Sequence, residues 1–572
     1  MGALFDLQQV PFSRYGSYMA ISQLNAGGDD PEGVYLRTVH GATKSSRLFR
    51  IELIATGGET LPFFLEPAPA KLRLVASGGA AEFVFAEPDV LRIRVQGDVG
   101  IRFIMDRPQF YDNIQPYGDG GRWELNGFSQ SRKFMLTPLS GKLHIDAPWE
   151  AMKCTHIVVE LFPGEGLAGE LALEEFATVW RPRDYAISFD ACYRSVQSDF
   201  DEWMAKTLPV SIGWEQSRTL AAYVNWSAVV RPEGHIKRPA MLMSKNRMTN
   251  IWSWDHCFNA MALAQLHPDA AWEQFVFMFD YQDDCGALPD SVNDRTIIWN
   301  FCKPPIHGWA LQWMRKRNGH AFGAERLATV YEPLARWTEW WFRYRDGDGD
   351  GIPQYNHGND CGWDNSTVFH DGAPVESPDL CAFLILQMEA LADIAGEIGR
   401  PMAETQLWRE RADKLLADML AHSWRSDHFV APRSADHHVV QDADSLLPFM
   451  TLVLGNRLPE DVRAKLVAGL CAKGRFLTEH GLATESISSA FYKPDGYWRG
   501  PIWAPPTLIV ADGLASMGET ELSRDIATRF CRLIAHSGMA ENFNATTGEG
   551  LRDRAYTWTS SVFLILAHEY VS

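Results

Sequence analysis

The chain has 572 residues, 46% of them apolar, and a formal net charge of −19. That length and apolar content bury large cores and predict more than one domain, which excludes a disordered or fibrous protein. Lysine and arginine, 53 against 72 acidic residues, form no basic run, which argues against nucleic acid as a partner because phosphate backbones are held by clustered cations.

The first stretch, MGALFDLQQVPFSRYG, lacks a basic region followed by an apolar one, and no later apolar run approaches the ~20 residues that span a bilayer. The expectation is a cytoplasmic protein without a membrane partner. From about residue 33 to 177 the chain runs in short β-rich pieces separated by Gly and Pro: VYLRTVHG, RLFRIELIA, KLRLVASGG, AEFVFAE, VLRIRVQG, IRFIMD, KLHIDAP and HIVVELFPG. Their alternation predicts an all-β sandwich, assigned to residues 1–180.

Residues 181–215 read as a linker with a first helix, and 216–572 as a large all-α domain. The pattern is plainest at 377–399. Ser377 stands where it can cap, and Pro378 suits the first helical position. Leu384, Met388, Leu391, Ala395 and Ile398 form one stripe, and Gly399 ends the helix. Further helices are drawn through Tyr331 to Tyr344, Leu407 to Leu420, Val462 to Leu470 and Leu522 to Leu533. An α/α toroid, with its site at a rim where loops gather, fits that length.

Nine cysteines from Cys154 to Cys531 include no C-x-x-C pair, so they read as buried reduced thiols. Of 21 tryptophans, 18 follow residue 200. They recur beside carboxylates in NIWSWDHCFNA (250–260), CKPPIHGWA (302–310), YNHGNDCGWDNSTVF (355–369), YWRGPIWAPP (497–506) and ENFNATTGEG (541–550). Sugar sites need that mixture, since the C–H face of a pyranose packs on an indole while its hydroxyls require fixed acceptors and donors.

Glycoside hydrolysis needs one protonated and one ionised carboxyl group. Asp364 and Glu541, each in a Gly- and Asn-containing loop, are the natural pair. Trp363 beside Asp364 offers the apolar contact that raises a carboxyl pKa. In DGDGDGIPQYNH, Asp346, Asp348 and Asp350 with Gly at the sixth place open a calcium-type loop, but His357 occupies the twelfth place instead of a bidentate Glu. Ca2+ is conceivable there; a solvated turn is the expectation, with no cofactor or metal required. His437 and His438, near Asp436 and Asp442, read as a polar loop.

WSWDHCFNA, KPPIHGWA, HGNDCGWDNS, YWRGPIW and ENFNATTGEG, in this order over roughly 240–565, resemble the signature loops of glycoside hydrolase family 63, the processing α-glucosidase family. The likeness to family 37 trehalases is more distant. The resemblance implies an (α/α)6 barrel and an inverting mechanism, with Asp364 as general acid and Glu541 as general base. It implies that Trp254, Asp255, Trp363, Trp498 and Arg499 line the pocket for the nonreducing sugar, with Lys303 and Gly500 also among the substrate-binding residues. Lys303 stands where similar proteins more often carry Gln, and Glu541-Asn542-Phe543 replaces the EKY-like residues of trehalases.

The resulting expectation is an exo-acting inverting α-glycosidase for small α-glucosides, disaccharides or glycosyl-glycerates. A sugar phosphorylase on the same plan, or a noncatalytic sugar-binding protein, are the alternatives. The sequence does not determine an oligomeric state.

Overall fold

The structure is a computed structural model. It describes residues 5–27, 30–41, 47–118 and 120–571, so the opening four residues of the N-terminal stretch lie outside it. The chain forms two compact units. One comprises Met1–Ala205, Ala222–Arg231 and Ser244–Thr249; the other comprises Lys206–Ala221, Pro232–Met243 and Asn250–Ser572.

The first unit is strand-rich. One sheet runs in the order Met19–Leu24, Gly33–Thr38, Arg47–Ala55, Val99–Met105, Ile157–Phe162 and Lys142–Asp146, with Thr60–Leu61 beside Arg47–Ala55. The other runs Asn113–Tyr117, Arg122–Gly127, Arg132–Ser140, Ala168–Phe176, Val90–Gly97, Gly79–Glu87, Leu72–Ala76 and Phe64–Pro67. Register follows the alternation read from sequence: Ile101 faces Leu53 on one side and Leu161 on the other, all three buried. The helix α1 (Phe189–Ala205) packs on the strand Gly79–Glu87. It buries Phe189, Cys192, Val196, Phe200 and Trp203, a stripe at helical spacing.

The second unit is helical. After α2 (Glu215–Ala228), whose first half belongs to this unit and second half to the strand-rich one, come α3 (Asp255–Leu263), α4 (Pro268–Val276), α5 (His307–Asn318), α6 (Ala324–Tyr344), α7 (Pro378–Glu397) and α8 (Met402–Ser423). A 3-10 segment, Leu447–Arg457, precedes α9 (Glu460–Leu470), α10 (Ala504–Ser516), α11 (Thr520–Ser537) and α12 (Thr557–Glu569). Contacts run α3 to α5, α5 to α7, α7 to the 447–457 segment, that segment to α10, α10 to α12, and α12 back to α3. Every residue of α3 is buried, as are nearly all of α10 and α12, which suits elements with neighbours on all sides. α6 and α11 are amphipathic and pack on members of that succession.

Two local readings are revised. Ser377 is the residue before α7, but its hydroxyl turns to the Asp379 carboxylate, so no side chain caps the helix. The burial of α7 extends beyond one stripe to Phe383, Ile385 and Gln387, because α5, α6, α8 and 447–457 all pack on it. All nine cysteines are unpaired; seven are buried, while Cys285 and Cys471 are exposed. No described helix is long and apolar enough to cross a membrane.

Candidate active site

Asp364 follows a short 3-10 turn, Gly358–Cys361, whose end needs the left-handed backbone of Gly362. Any Cβ at Gly362 would lie 2.5 Å from the Trp254 indole, so glycine lets the acid-bearing loop close on that ring. The next residue, Asn365, clamps a second loop through both ends of its amide. Nδ2 donates to the Gly496 carbonyl at 2.9 Å, and Oδ1 accepts from the Trp498 N–H at 3.0 Å.

That second loop is YWRGPIW, and its far end reaches the other carboxylate. Ile502 exchanges backbone hydrogen bonds with Phe543 at 2.7 and 3.0 Å, and the Glu541 N–H donates to the Asp553 carbonyl at 2.7 Å. One segment, 496–502, thus fastens the Asp364 loop to the strand that follows Glu541. Gly500 makes its sharp turn, with φ +145° and the Lys493 carbonyl 2.3 Å from where a Cβ would sit.

Tryptophans stiffen the assembly. Trp363 stacks on Trp498 with ring centres 4.8 Å apart, Trp498 on Trp503 at 3.9 Å, and Trp254 meets Trp558 edge-on at 5.8 Å. Trp254, Trp363 and Trp498 are almost wholly buried in one another's company, a packed wall rather than open platforms. Asp255 is the first residue of α3 and makes no side-chain cap.

Burial dominates the electrostatics. The Asp255 carboxyl is pushed up to about 8 by burial, against the pull of Lys303. Glu541 is pushed up to about 7 by burial and then by the neighbouring Asp553 charge. Asp364 is raised by burial, opposed by Lys303 and by a hydrogen bond from the Tyr497 phenol. Tyr497 is raised in turn by burial and by the charges of Asp364 and Glu541, so it feels both carboxylates. Lys303 is buried and fully engaged by the Asp290 carboxylate and by the side-chain and main-chain oxygens of Asn359, the latter at 2.9 Å.

The expected residues Trp254, Asp255, Lys303, Trp363, Asp364, Trp498, Arg499, Gly500 and Glu541 therefore converge on one region of the helical unit. The sequence reading missed Tyr497, Asp290, Asn359, Arg552 and Asp553. Tyr497 sits inside a motif already singled out and holds a left-handed backbone, φ +65°. Arg552 lies over its ring at 4.9 Å and pairs with Asp495 at 2.6 Å. Asp290 and Asp553 belong to no motif and enter only through their neighbours.

The DGDGDG turn is tied to its own backbone and to that of Ala435. Asp346 accepts the N–H groups of Gly349 and Gly351 at 2.9 and 3.1 Å, Asp350 that of Ile352 at 2.7 Å, and Asp348 that of Ala435 at 2.8 Å. Ligand-type atoms of Asp346, Asp348 and Asp350 lie within 4.8 Å of one another, as do those of Asp350, Glu376, His422 and His437, and those of His256, Cys257 and His307. His437, read as a polar-loop residue, is therefore part of a carboxylate and imidazole group. His438 pairs with Asp371 at 2.7 Å.

A helical unit carrying paired buried carboxyl groups amid stacked indoles is the architecture of a glycoside hydrolase. Residues 248–559 match the mannosylglycerate hydrolase MGH1-like glycoside hydrolase domain, and the chain belongs to that family. Mannosylglycerate hydrolase MGH2 of Selaginella moellendorffii is 21% identical over 55% of this chain and 79% of its own. Glucosylglycerate hydrolase of Mycolicibacterium hassiacum is 22% identical over 55% of this chain and 91% of its own. The crystal structure of the family 63 mannosylglycerate hydrolase of Thermus thermophilus with glucose superposes with a TM-score of 0.53 at 19% identity. It covers 61% of this chain and 98% of that one, which shows a shared fold.

Proposed function

We propose that this protein hydrolyses a small α-glycoside of the glycosyl-glycerate type from its nonreducing end, with inversion of the anomeric centre. The observation that carries the reading is the single segment 496–502 that joins the Asp364 loop to the Glu541 strand, with the Tyr497 phenol hydrogen-bonded to Asp364 and in the field of Glu541. In this reading Asp364 gives its proton to the departing glycosidic oxygen. Glu541 takes a proton from a water that attacks the opposite face of the sugar. The protonated aglycone leaves, and the next cycle begins when solvent returns a proton to Asp364 and removes one from Glu541. The step uses two carboxyl groups and water and invokes no cofactor.

Inversion requires room for that water, which corresponds to carboxyl groups about 6.5–9.5 Å apart in the bound state. Asp255, held protonated near neutral pH, is suited to both accept from and donate to a sugar hydroxyl. We read the closed succession α3, α5, α7, 447–457, α10, α12 as the inner ring of an (α/α)6 toroid, and the two sheets of the first unit as a β-sandwich.

Glucosylglycerate, mannosylglycerate and trehalose, incubated with the protein and assayed for free sugar, test the reading. Glycosyl-glycerate turnover is expected, with Asp364→Asn and Glu541→Gln each lowering kcat about 100- to 10,000-fold. No turnover of either glycosyl-glycerate by the native protein, or variants as active as it, would overturn it.

A further inference from the structure

If the substrate is a glycosyl-glycerate, the leaving group is an anion, and an anion must be drawn into a protein of net charge −19. The site itself is rich in carboxylates: Asp255, Asp290, Asp364, Glu541 and Asp553. A local cation with no prior engagement is therefore needed to hold a carboxylate beside Asp364. Three side chains could supply it.

Two of the three are taken. Lys303 is spent on Asp290 and Asn359, and Arg552 on Asp495 and the Asn542 side chain at 2.6 and 3.0 Å. Arg499 differs. Among the described residues its guanidinium has no hydrogen-bond or ion-pair partner, and its Nε is buried without one. Its backbone, by contrast, is fixed: its N–H donates to the Gly496 carbonyl at 3.2 Å, and its carbonyl accepts from the Lys493 N–H at 2.8 Å. Through Gly496 and Trp498 the same turn is clamped to Asn365, the residue after the proposed acid.

Arg499 opens into a cavity of about 310 Å3 that it lines together with His357, Asp364, Thr367 and His370, and that Glu541 does not line. A general acid stands beside the leaving oxygen, so space that touches the acid but not the base is space for the aglycone. The cavity is large enough for a three-carbon acid. His357 accepts the Asn359 N–H on Nδ1 at 2.9 Å, which leaves its Nε2–H as a donor.

The geometry points to Arg499 as the residue that selects an anionic aglycone: its planar guanidinium takes the carboxylate of a small hydroxy acid in two parallel hydrogen bonds, next to Asp364. This rests on the hydrolase reading above and adds to it a residue and a charge preference for the leaving group. It also differs from the sequence expectation that Arg499 serves the nonreducing sugar. A guanidinium matches a carboxylate in a way that lysine's point charge does not, so an Arg499→Lys protein keeps the charge and loses the fork.

The test compares two substrates that share one sugar and linkage, glucosylglycerate and the neutral glucosylglycerol. The ratio of their kcat/KM values is expected to fall about 10- to 100-fold in Arg499→Gln, mainly through KM for the anionic substrate, and to be partly restored in Arg499→Lys. An unchanged ratio, with both substrates losing equally, would assign Arg499 to the sugar and overturn the inference. Binding of D-glycerate alone, followed by isothermal titration, separates the two readings. Glycerate bound by the native protein and lost in Arg499→Gln keeps the inference even if no glycosyl-glycerate is turned over. Glycerate bound equally by both proteins removes it even if hydrolysis proceeds.

Discussion

Asp364 and Glu541 are both lifted by burial, yet the residues around them differ in kind, and that difference sets how each limb of the pH profile responds. In the proposed mechanism Glu541 is the base, and a base must be ionised. With its carboxyl near 7, kcat/KM is expected to fall on the acid side of about pH 7. Asp553 is the second cause of that elevation, so Asp553→Asn, which removes a like charge, moves the acid limb to lower pH by up to about one unit. Tyr497 acts in the other direction on Asp364, since its hydrogen bond favours the ionised carboxylate. Tyr497→Phe therefore raises the Asp364 pKa and shifts the alkaline limb upward. Paired kcat/KM profiles check both; an acid limb that Asp553→Asn leaves in place would show that the neighbouring charge does not set it. Asp553 carries no sequence signal, and although Tyr497 opens a motif already singled out, its action on Asp364 depends on proximity created by folding. The carboxylates themselves were legible because each lies in a Trp-, Gly- and Asn-containing loop with no period of its own.

At the scale of the element, packing accounts for part of the division between the helices legible in the sequence and those missed. α6, α8, α9 and α11 were drawn from their apolar residues, and α7 from a helix start and stop as well as a stripe. α10 and α12 were not drawn, since a helix with neighbours on nearly every side has little polar face to give it a period; α2, α4 and α5, each exposed in part, were not drawn either. Buried polar groups then supply what periodicity cannot. Gln387 in α7 is wholly buried; its Oε1 accepts the Gly308 N–H at the start of α5 at 3.2 Å, and its Nε2 donates to Thr338 of α6 at 2.9 Å. Three helices are thereby held in register by one amide. The approach is close enough that a Cβ on Gly308 would lie 2.3 Å from the Gln387 Cα, whereas one on Gly396, near the exposed end of the same α7, meets nothing within 4 Å. Gly308→Ala is expected to destabilise by about 1–3 kcal/mol through overpacking. Gly396→Ala is expected to stabilise by about 0.5–1 kcal/mol by restricting the unfolded chain. Equilibrium unfolding in urea distinguishes them, and equal effects from the two would contradict the packing described.

Over the whole molecule, the strand-rich and helical halves were visible in the change from short alternating runs to longer apolar stripes. Strands such as Met19–Leu24, Asn113–Tyr117 and Arg132–Ser140 were not among the runs singled out. The last is broken by Pro138, where the pairing with Ala168–Phe176 shifts register. The family match, residues 248–559, lies in the helical half, and the proposed chemistry depends on separated loops meeting there. Their meeting at Asn365 and at Ile502 turns two carboxyl groups far apart in sequence into a pair. The claim that this pair hydrolyses a glycoside with inversion is tested most directly by a proton NMR time course on α-glucosylglycerate, begun within seconds of adding the protein. Release of β-glucose first, with the α-anomer growing in only as mutarotation proceeds, is the predicted result. Initial release of α-glucose would contradict inversion and require a covalent intermediate on one of the two carboxylates.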